Sequence, residues 1–94
     1  MLSKDDIAIV DDAIRKTLMA RQEELKLSDE KLGRQAFGYL KAPRGKIQSL
    51  FVGQGTPERR KPQVINICEV VNICEAMGLS WVEVMRGALK KTGK

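Results

Sequence analysis

The chain contains no histidine, and this absence narrows the chemistry that it can perform. Histidine is a common zinc ligand and the most frequent general base of enzymes. No cysteine is paired with a basic side chain, and no glycine motif follows a predicted strand. The carboxylates occupy ordinary helix-start and surface positions. We therefore predict that the protein is not an enzyme and that it binds no metal, cofactor or small-molecule ligand.

Aromatic residues and cysteines are also scarce. Two phenylalanines, one tyrosine and one tryptophan leave a core that must be mostly aliphatic. Cys68 and Cys74 are separated by about 9 Å along one helix, whereas a disulfide requires Cα atoms within about 7 Å. Both cysteines are therefore expected to be small buried hydrophobes, as is typical of a reducing compartment.

Long apolar runs are missing as well. The chain has no run of about 18 apolar residues, so no membrane span is predicted. The segment MLSKDDIAIVDD at the N-terminus is acidic and lacks the basic start of a signal peptide, so a cytoplasmic location is expected. The 94 residues, with 43% hydrophobic and 31% charged side chains, are typical of one globular domain covering residues 1–94.

Charge is distributed unevenly along the chain. Residues 1–30 carry five basic and eight acidic side chains, net −3. Residues 31–61 carry eight basic side chains and one acidic side chain, net +7, and residues 62–94 return to +1. Basic charge concentrated in the middle third indicates a polyanionic partner, although a solvated basic surface would have the same composition.

Hydrophobic spacing predicts an all-α fold, a compact bundle of five helices. The predicted helices cover residues 4–25, 28–40, 43–52, 63–77 and 80–90, with a disordered tail at 91–94. Ser3, Ser28 and Ser80 are suitable N-caps, and Gly53 and Gly78 are suitable helix ends. The residues predicted to face the core in the first and last helices are Ile7, Val10, Ile14, Leu18, Leu25, Trp81, Met85 and Leu89.

Two further segments have a distinctive composition. In residues 64–77, polar residues recur every third position, which predicts a mostly buried helix with Asn66 and Asn72 facing solvent or a partner chain. The segment GQGTPERRKPQ, residues 53–63, reads as a loop. It lacks the preceding strand and the lysine-serine/threonine ending of a nucleotide-phosphate loop.

The segment APRGKIQSLFVG predicts a short helix with two unlike faces. Pro43 suits the first turn of a helix. An i, i+3, i+4 pattern of apolar residues faces the core: Ile47, Leu50 and Phe51. The opposite face consists of Gly45, Ser49 and Val52, flanked by Lys46 and Gln48. Such small residues, edged by basic and amide groups, indicate a face that approaches a surface closely.

The segments LSDEKLGRQA at 27–36, KIQSLFVG at 46–53 and ICEAMGLSWVEV at 73–84 occur in an order that resembles the phage lambda repressor-like (Cro-type) helix-turn-helix family. The resemblance covers residues 5–89. It implies that the first segment is the supporting helix, the second is the recognition helix and the third closes the bundle. Leu32 and Ile47 are a few residues farther apart than in the family. Either the turn at GYLKAP is long or the supporting helix gains a turn.

The resemblance implies sequence-specific binding to double-stranded DNA, at a palindromic operator, by a transcriptional repressor or regulator of phage or mobile-element type. An α-helix fits the major groove, where glutamine can pair with adenine and arginine or lysine with guanine. The expected base contacts are Arg44, Gly45, Lys46, Gln48, Ser49 and Val52. The expected phosphate contacts are Ser28, Lys31, Arg34, Lys41, Gln54, Thr56, Arg59, Arg60 and Lys61.

A homodimer is expected because one recognition helix reads only a few base pairs. The last helix carries more apolar residues than one buried stripe requires, so the interface candidates are Trp81, Val82, Met85 and Leu89. An alternative is that the bundle serves as a protein-protein interaction module without DNA, which the long turn and the apolar Val52 would suit. RNA is disfavoured because no aromatic residue is predicted on an exposed face for base stacking.

Overall fold

The computed structural model describes residues 1–53 and 64–93, and within them the chain forms five α-helices and no strand. The helices are α1 (Lys4–Glu24), α2 (Asp29–Phe37), α3 (Pro43–Phe51), α4 (Ile67–Ala76) and α5 (Trp81–Lys90). The radius of gyration is 13.2 Å, close to the value of about 13 Å expected of a compact chain of about 100 residues. The predicted all-α fold is therefore confirmed for the part of the chain that the structure describes.

Four of these helices begin at a short polar side chain that accepts a hydrogen bond from a backbone N–H of the first turn. The N-caps are Ser3, Ser28, Asn66 and Ser80. Each such cap stabilises a helix by about 1 kcal/mol. The three serine caps agree with the sequence prediction. Asn66, which was expected to face solvent or a partner, uses its side chain to start α4.

Two helices are shorter than predicted. α2 ends at Phe37 instead of residue 40, because Gly38 is its C-cap and the chain then turns before α3. Ala42 has φ −129° and ψ 68°, outside the helical region that a following proline disfavours. Residues 38–42 therefore form a long turn, which decides between the two alternatives that the sequence leaves open. α4 begins at Ile67 rather than 63, since Asn66 caps it.

The core is mostly aliphatic, and all five helices contribute to it. Its buried helical members are Val10, Ile14, Leu18, Leu32, Ala36, Phe37, Ile47, Leu50, Phe51, Val70, Ile73, Cys74, Val84 and Ala88. The most extensive helix contacts are those of α2 with α3, of α1 with α5 and of α2 with α4. These contacts hold α3 against α2 at one side of the bundle.

Four residues predicted to face the core are exposed instead. Ile7 and Leu25 are 51% and 40% exposed. They lie near the ends of α1, which rises about 31 Å, whereas its partner α5 rises only about 15 Å. Trp81 and Leu89 are 40% and 39% exposed. α5 turns the smaller Val84 and Ala88 toward the core, and Met85 is half-buried.

Of the two cysteines, which were both expected to be buried, only Cys74 is, and the C-terminal residues also differ from expectation. Cys74 is buried, and the loss of solvent raises the pKa of its thiol above the ordinary value. Cys68 is exposed, because six residues turn a helix by about 600° and so place the two thiols on different faces. Residues 91–93 form a hydrogen-bonded turn rather than a disordered tail, and Lys94 lies outside the described residues.

A polar pair on α1 holds two distant parts of the chain. The buried Arg15 donates from Nε to the Leu50 carbonyl at 2.8 Å and is ion-paired with Asp11. The other carboxylate oxygen of Asp11 accepts a hydrogen bond from the backbone N–H of Ile65 at 2.9 Å. We call this pair, Asp11 and Arg15, the α1 clasp. It joins one turn of α1 to the end of α3 and to the chain that enters α4.

Candidate nucleic-acid interface

The start of α3 lies against α2 at Gly33. A Cβ atom on Gly33 would lie 2.6 Å from the carbonyl carbon and oxygen of Pro43 and 2.9 Å from the backbone nitrogen of Arg44. Only a residue without a side chain allows the two backbones to approach so closely. Arg34 directly follows Gly33, so its backbone lies one residue from this contact. The contact determines where α3 begins relative to α2.

The N-terminus of α3 carries no side-chain cap. Ala42 precedes the helix and makes no capping hydrogen bond, and Pro43 occupies the first turn without an N–H of its own. The first N–H groups of a helix have no partner within the helix and carry a partial positive charge. The start of α3 therefore presents uncapped backbone donors, a chemistry that suits a phosphate oxygen.

The outward face of α3 combines a cation, an amide and an apolar side chain. Arg44 is exposed, Gln48 is half-buried and Val52 is 43% exposed. These residues follow each other at four-residue steps and so form a stripe along the helix. Gly45 lies beside the stripe, and among the residues that the structure describes, a Cβ added to it would meet only the Ala42 side chain, at 3.8 Å. No other described residue crowds the surface beside Gly45.

Ser49 was expected to contact a base. The structure buries it, with an exposure of only 5%, so its hydroxyl does not lie on the exposed surface of α3. Ser49 lies about 160° from Ile47 around the helix, which is why the sequence pattern assigned it to the outside. The neighbouring side chain one turn earlier, Lys46, extends toward α4, so this side of α3 faces the protein as well.

Lys46, another expected base contact, forms an ion pair within the protein. Its Nζ forms an ion pair with Oε2 of Glu69 in the first turn of α4. The Lys46 side chain is 29% exposed and the Glu69 side chain 10% exposed. A base contact by Lys46 would first have to break this sheltered pair. The exposed side of α3 is therefore shifted around the helix, away from Lys46 and toward Gln48.

The expected phosphate contacts fall into two groups. Lys31 and Lys41 are exposed, and the exposed Arg34 contacts Glu30 at 2.6 Å within α2. Such a surface pair is worth little, so the guanidinium can still bind an anion. The Ser28 hydroxyl accepts the Lys31 N–H at 3.1 Å as the cap of α2. The remaining expected contacts lie outside the described residues: Gln54, Thr56, Arg59, Arg60 and Lys61.

Two apolar surfaces lie elsewhere on the bundle. On α5, Trp81, Val82 and Leu89 are each about two-fifths exposed, and Met85 beside them is half-buried. A second surface is an open groove of about 150 Å³ between the N-terminal parts of α1 and α4. The most exposed side chains that line it are Ile7, Val64 and Ile67.

The described residues contain neither a cluster suited to a metal ion nor a helix suited to crossing a membrane. Within residues 1–53 and 64–93, no cluster of three or more histidine, cysteine, aspartate or glutamate side chains could hold a metal ion. None of the helices described above is both long and apolar enough to cross a membrane.

No protein-family model, curated protein or solved structure matches the chain. The resemblance to the lambda repressor-like family therefore stays a prediction, based on the order and spacing of three segments.

Sequence reasoning missed the residues that hold α3 in place. Asp11 and Arg15 are an i, i+4 pair, a spacing that the sequence displays, but their long-range partners are not readable from it. Asn66 and Glu69 match the spacing of a capping box, in which each side chain accepts the backbone N–H of the other residue. That signal would have identified the start of α4.

Proposed function

We propose that the protein binds double-stranded DNA sequence-specifically and acts as a transcriptional repressor or regulator of phage or mobile-element type. In this proposal α2 and α3 form a helix-turn-helix of the lambda repressor-like kind, with α3 as the recognition helix in the major groove. The protein would work where DNA is accessible, in the cytoplasm. DNA and a second copy of the chain are its partners.

The observation that carries the proposal is the exposed stripe of Arg44, Gln48 and Val52. Arginine pairs bidentately with guanine, glutamine pairs with adenine, and an apolar side chain contacts the methyl group of thymine. The stripe spans eight residues, or about 12 Å, which is the length of about three to four base-pair steps at about 3.4 Å each. Gly45 beside it leaves room for the helix to approach the base edges.

The basic side chains around α3 also support the proposal of DNA binding. Lys31, Arg34, Lys41 and Arg44 are exposed, and the uncapped start of α3 adds backbone donors. Backbone phosphates are bound by such groups, which orient a protein on the duplex without reading sequence. Because each phosphate contact releases counterions, binding should weaken steeply as salt rises.

Selection from random DNA duplexes, followed by variant binding, tests the proposal. We expect one enriched sequence for the natural protein. Arg44→Ala and Gln48→Ala should each relax preference at particular base pairs, with a loss of about 1–3 kcal/mol in discrimination, because each removes a base contact.

The matched control for these variants is Lys41→Ala. It should weaken binding to all sequences alike and reduce the salt slope by about one, as expected of a phosphate contact. The absence of any enriched sequence and of salt-dependent affinity would refute DNA binding. Equal, sequence-independent losses for Arg44→Ala and Gln48→Ala would refute the assignment of α3 as the recognition helix.

A two-fold dimer through α5 is part of the proposal, since the apolar surface of Trp81, Val82, Met85 and Leu89 is larger than a monomer needs. It would set two recognition helices about 34 Å apart, one turn of DNA.

We expect Val82→Glu to convert a dimer to a monomer in analytical ultracentrifugation, because it buries an unpaired charge in the interface. Met19→Glu, at a similarly exposed apolar residue of α1, should leave the dimer intact. A natural protein that stays monomeric at high concentration, alone and on DNA, would contradict the dimer.

A protein-protein interaction module is the second candidate, and the groove at Ile7, Val64 and Ile67 favours it. Exposed apolar side chains around a groove are typical of sites that bind a partner protein. A stoichiometric protein partner captured from nuclease-treated lysate, together with a failed DNA selection, would favour this function over DNA binding.

A further inference from the structure

The ion pair between Lys46 and Glu69 joins the proposed recognition helix to another helix. Lys46 lies in the N-terminal half of α3 and Glu69 in the first turn of α4. The pair of Arg34 with Glu30, in contrast, lies within α2 with both side chains more than half exposed. The Lys46–Glu69 pair is much less solvated, so its attraction is less screened than that of a surface pair.

The carboxylate of Glu69 has a second partner. Its Oε1 accepts the backbone N–H of Asn66 at 3.0 Å, and Asn66 in turn accepts the backbone N–H of Glu69 at 2.9 Å. One oxygen is therefore held by the start of α4 while the other holds Lys46. Because the capping box restricts the Glu69 side chain, the position of the Lys46 ammonium is restricted as well.

This arrangement bears on the rotation of α3 about its own axis. The apolar side chains of Ile47, Leu50 and Phe51 hold one side of the helix in the core. Lys46 points about 100° away from Ile47 and adds a polar connection on a second side. A rotation of about 25° would move a Cα on a helix of radius about 2.3 Å by about 1 Å. A shift of that size is enough to misplace a side chain that must pair with a base edge.

We propose that Glu69 is a positioning residue that, through Lys46, sets the rotation of α3 and thereby its sequence specificity. In this role Lys46 is a structural tether and not a DNA contact. The inference rests on the proposed DNA-binding function and deepens it. It assigns part of the specificity to a carboxylate on a different helix from the one that reads the bases.

The test uses three single variants of the full chain and the double variant. Glu69→Gln keeps an oxygen that can accept the Asn66 N–H but removes the charge that holds Lys46. Lys46→Gln removes the other half of the pair. Glu75→Gln is the matched control, because it makes the same charge change on an exposed residue of the same helix.

Binding to the selected sequence and to its single-base-pair variants is measured over a range of salt concentrations. Glu69→Gln and Lys46→Gln should each reduce discrimination at the base pairs read by Arg44 and Gln48 by about three- to tenfold, which lies within the range for coupled neighbours. Glu75→Gln should not. Lys46→Gln should leave the salt slope unchanged. A slope reduced by about one in Lys46→Gln, or full discrimination in Glu69→Gln, would overturn the inference.

A measurement without DNA separates failure of the inference from failure of the proposed function. In urea unfolding, each single variant should lower the folding equilibrium constant several-fold, and the double variant should lower it no further. Additive losses would refute the tether even if the protein binds DNA. An intact tether in a protein that selects no DNA sequence would refute the proposed function and, with it, the role in specificity.

Discussion

Replacing Gly33 with alanine is expected to lower the free energy of unfolding by about 2–3 kcal/mol and, under the proposed function, to weaken DNA binding strongly. The added Cβ would lie 2.6 Å from two backbone atoms of Pro43. Backbone atoms cannot relieve the clash by changing a rotamer, as a flexible side chain can. The helices α2 and α3 would therefore have to separate. The start of α3 would move with them, and the base contacts proposed for it would be lost. Urea denaturation and a binding titration measure the two effects.

Gly87→Ala is the control for this prediction. Gly87 is also helical, but a Cβ added to it meets no atom of residues 1–53 and 64–93 within 4 Å. Alanine is favoured over glycine in a helix by about 1 kcal/mol, so this variant should be slightly more stable and should bind DNA normally. If Gly33→Ala were as stable as Gly87→Ala, the close approach of α2 and α3 would be disproved.

Arg15→Ala is expected to lower the free energy of unfolding by about 3–5 kcal/mol, the largest effect of any substitution proposed for this protein. It removes the donor to the Leu50 carbonyl and leaves the Asp11 carboxylate without its cationic partner. Breaking a largely buried ion pair is costly because the remaining carboxylate loses its countercharge, and the hydrogen bond from the Ile65 N–H compensates only part of that loss. The loss is measured by thermal and urea unfolding followed by circular dichroism.

The adjacent Lys16→Ala is the comparison. Lys16 pairs with Asp12 on the same helix with the same spacing, but both side chains are more than half exposed. Exposed pairs of this kind contribute about 0–1 kcal/mol. Similar losses for Arg15→Ala and Lys16→Ala would mean that the α1 clasp does not hold the bundle together.

The helices themselves were largely predictable from local signals. Ser3 and Ser28 cap their helices, and Gly53 takes the left-handed conformation with φ of 95°, as the sequence pattern indicates. Such features depend on a few neighbouring residues. The end of α2 was less predictable, since a glycine at position 38 is compatible with either a C-cap or one more helical turn.

The surface of α3 was predictable only in part, and the reason is geometric. Helical spacing tells which residues oppose the core side of one helix, and it assigned Gln48 and Val52 to the outside. It does not tell which other helix covers a flank. Lys46 faces the protein because its ammonium pairs with Glu69 in the first turn of α4, a neighbour that is distant in sequence. Ser49, for its part, is buried.

The α1 clasp also has a consequence for the length of the chain between α3 and α4. Arg15 holds Leu50 and Asp11 holds Ile65, so the two ends of that connection are fixed to neighbouring side chains. The distance to be spanned then does not depend on how many residues span it. The relative position of the end of α3 and the start of α4 is therefore set by one turn of α1, and it does not rely on the residues that join the two helices in sequence.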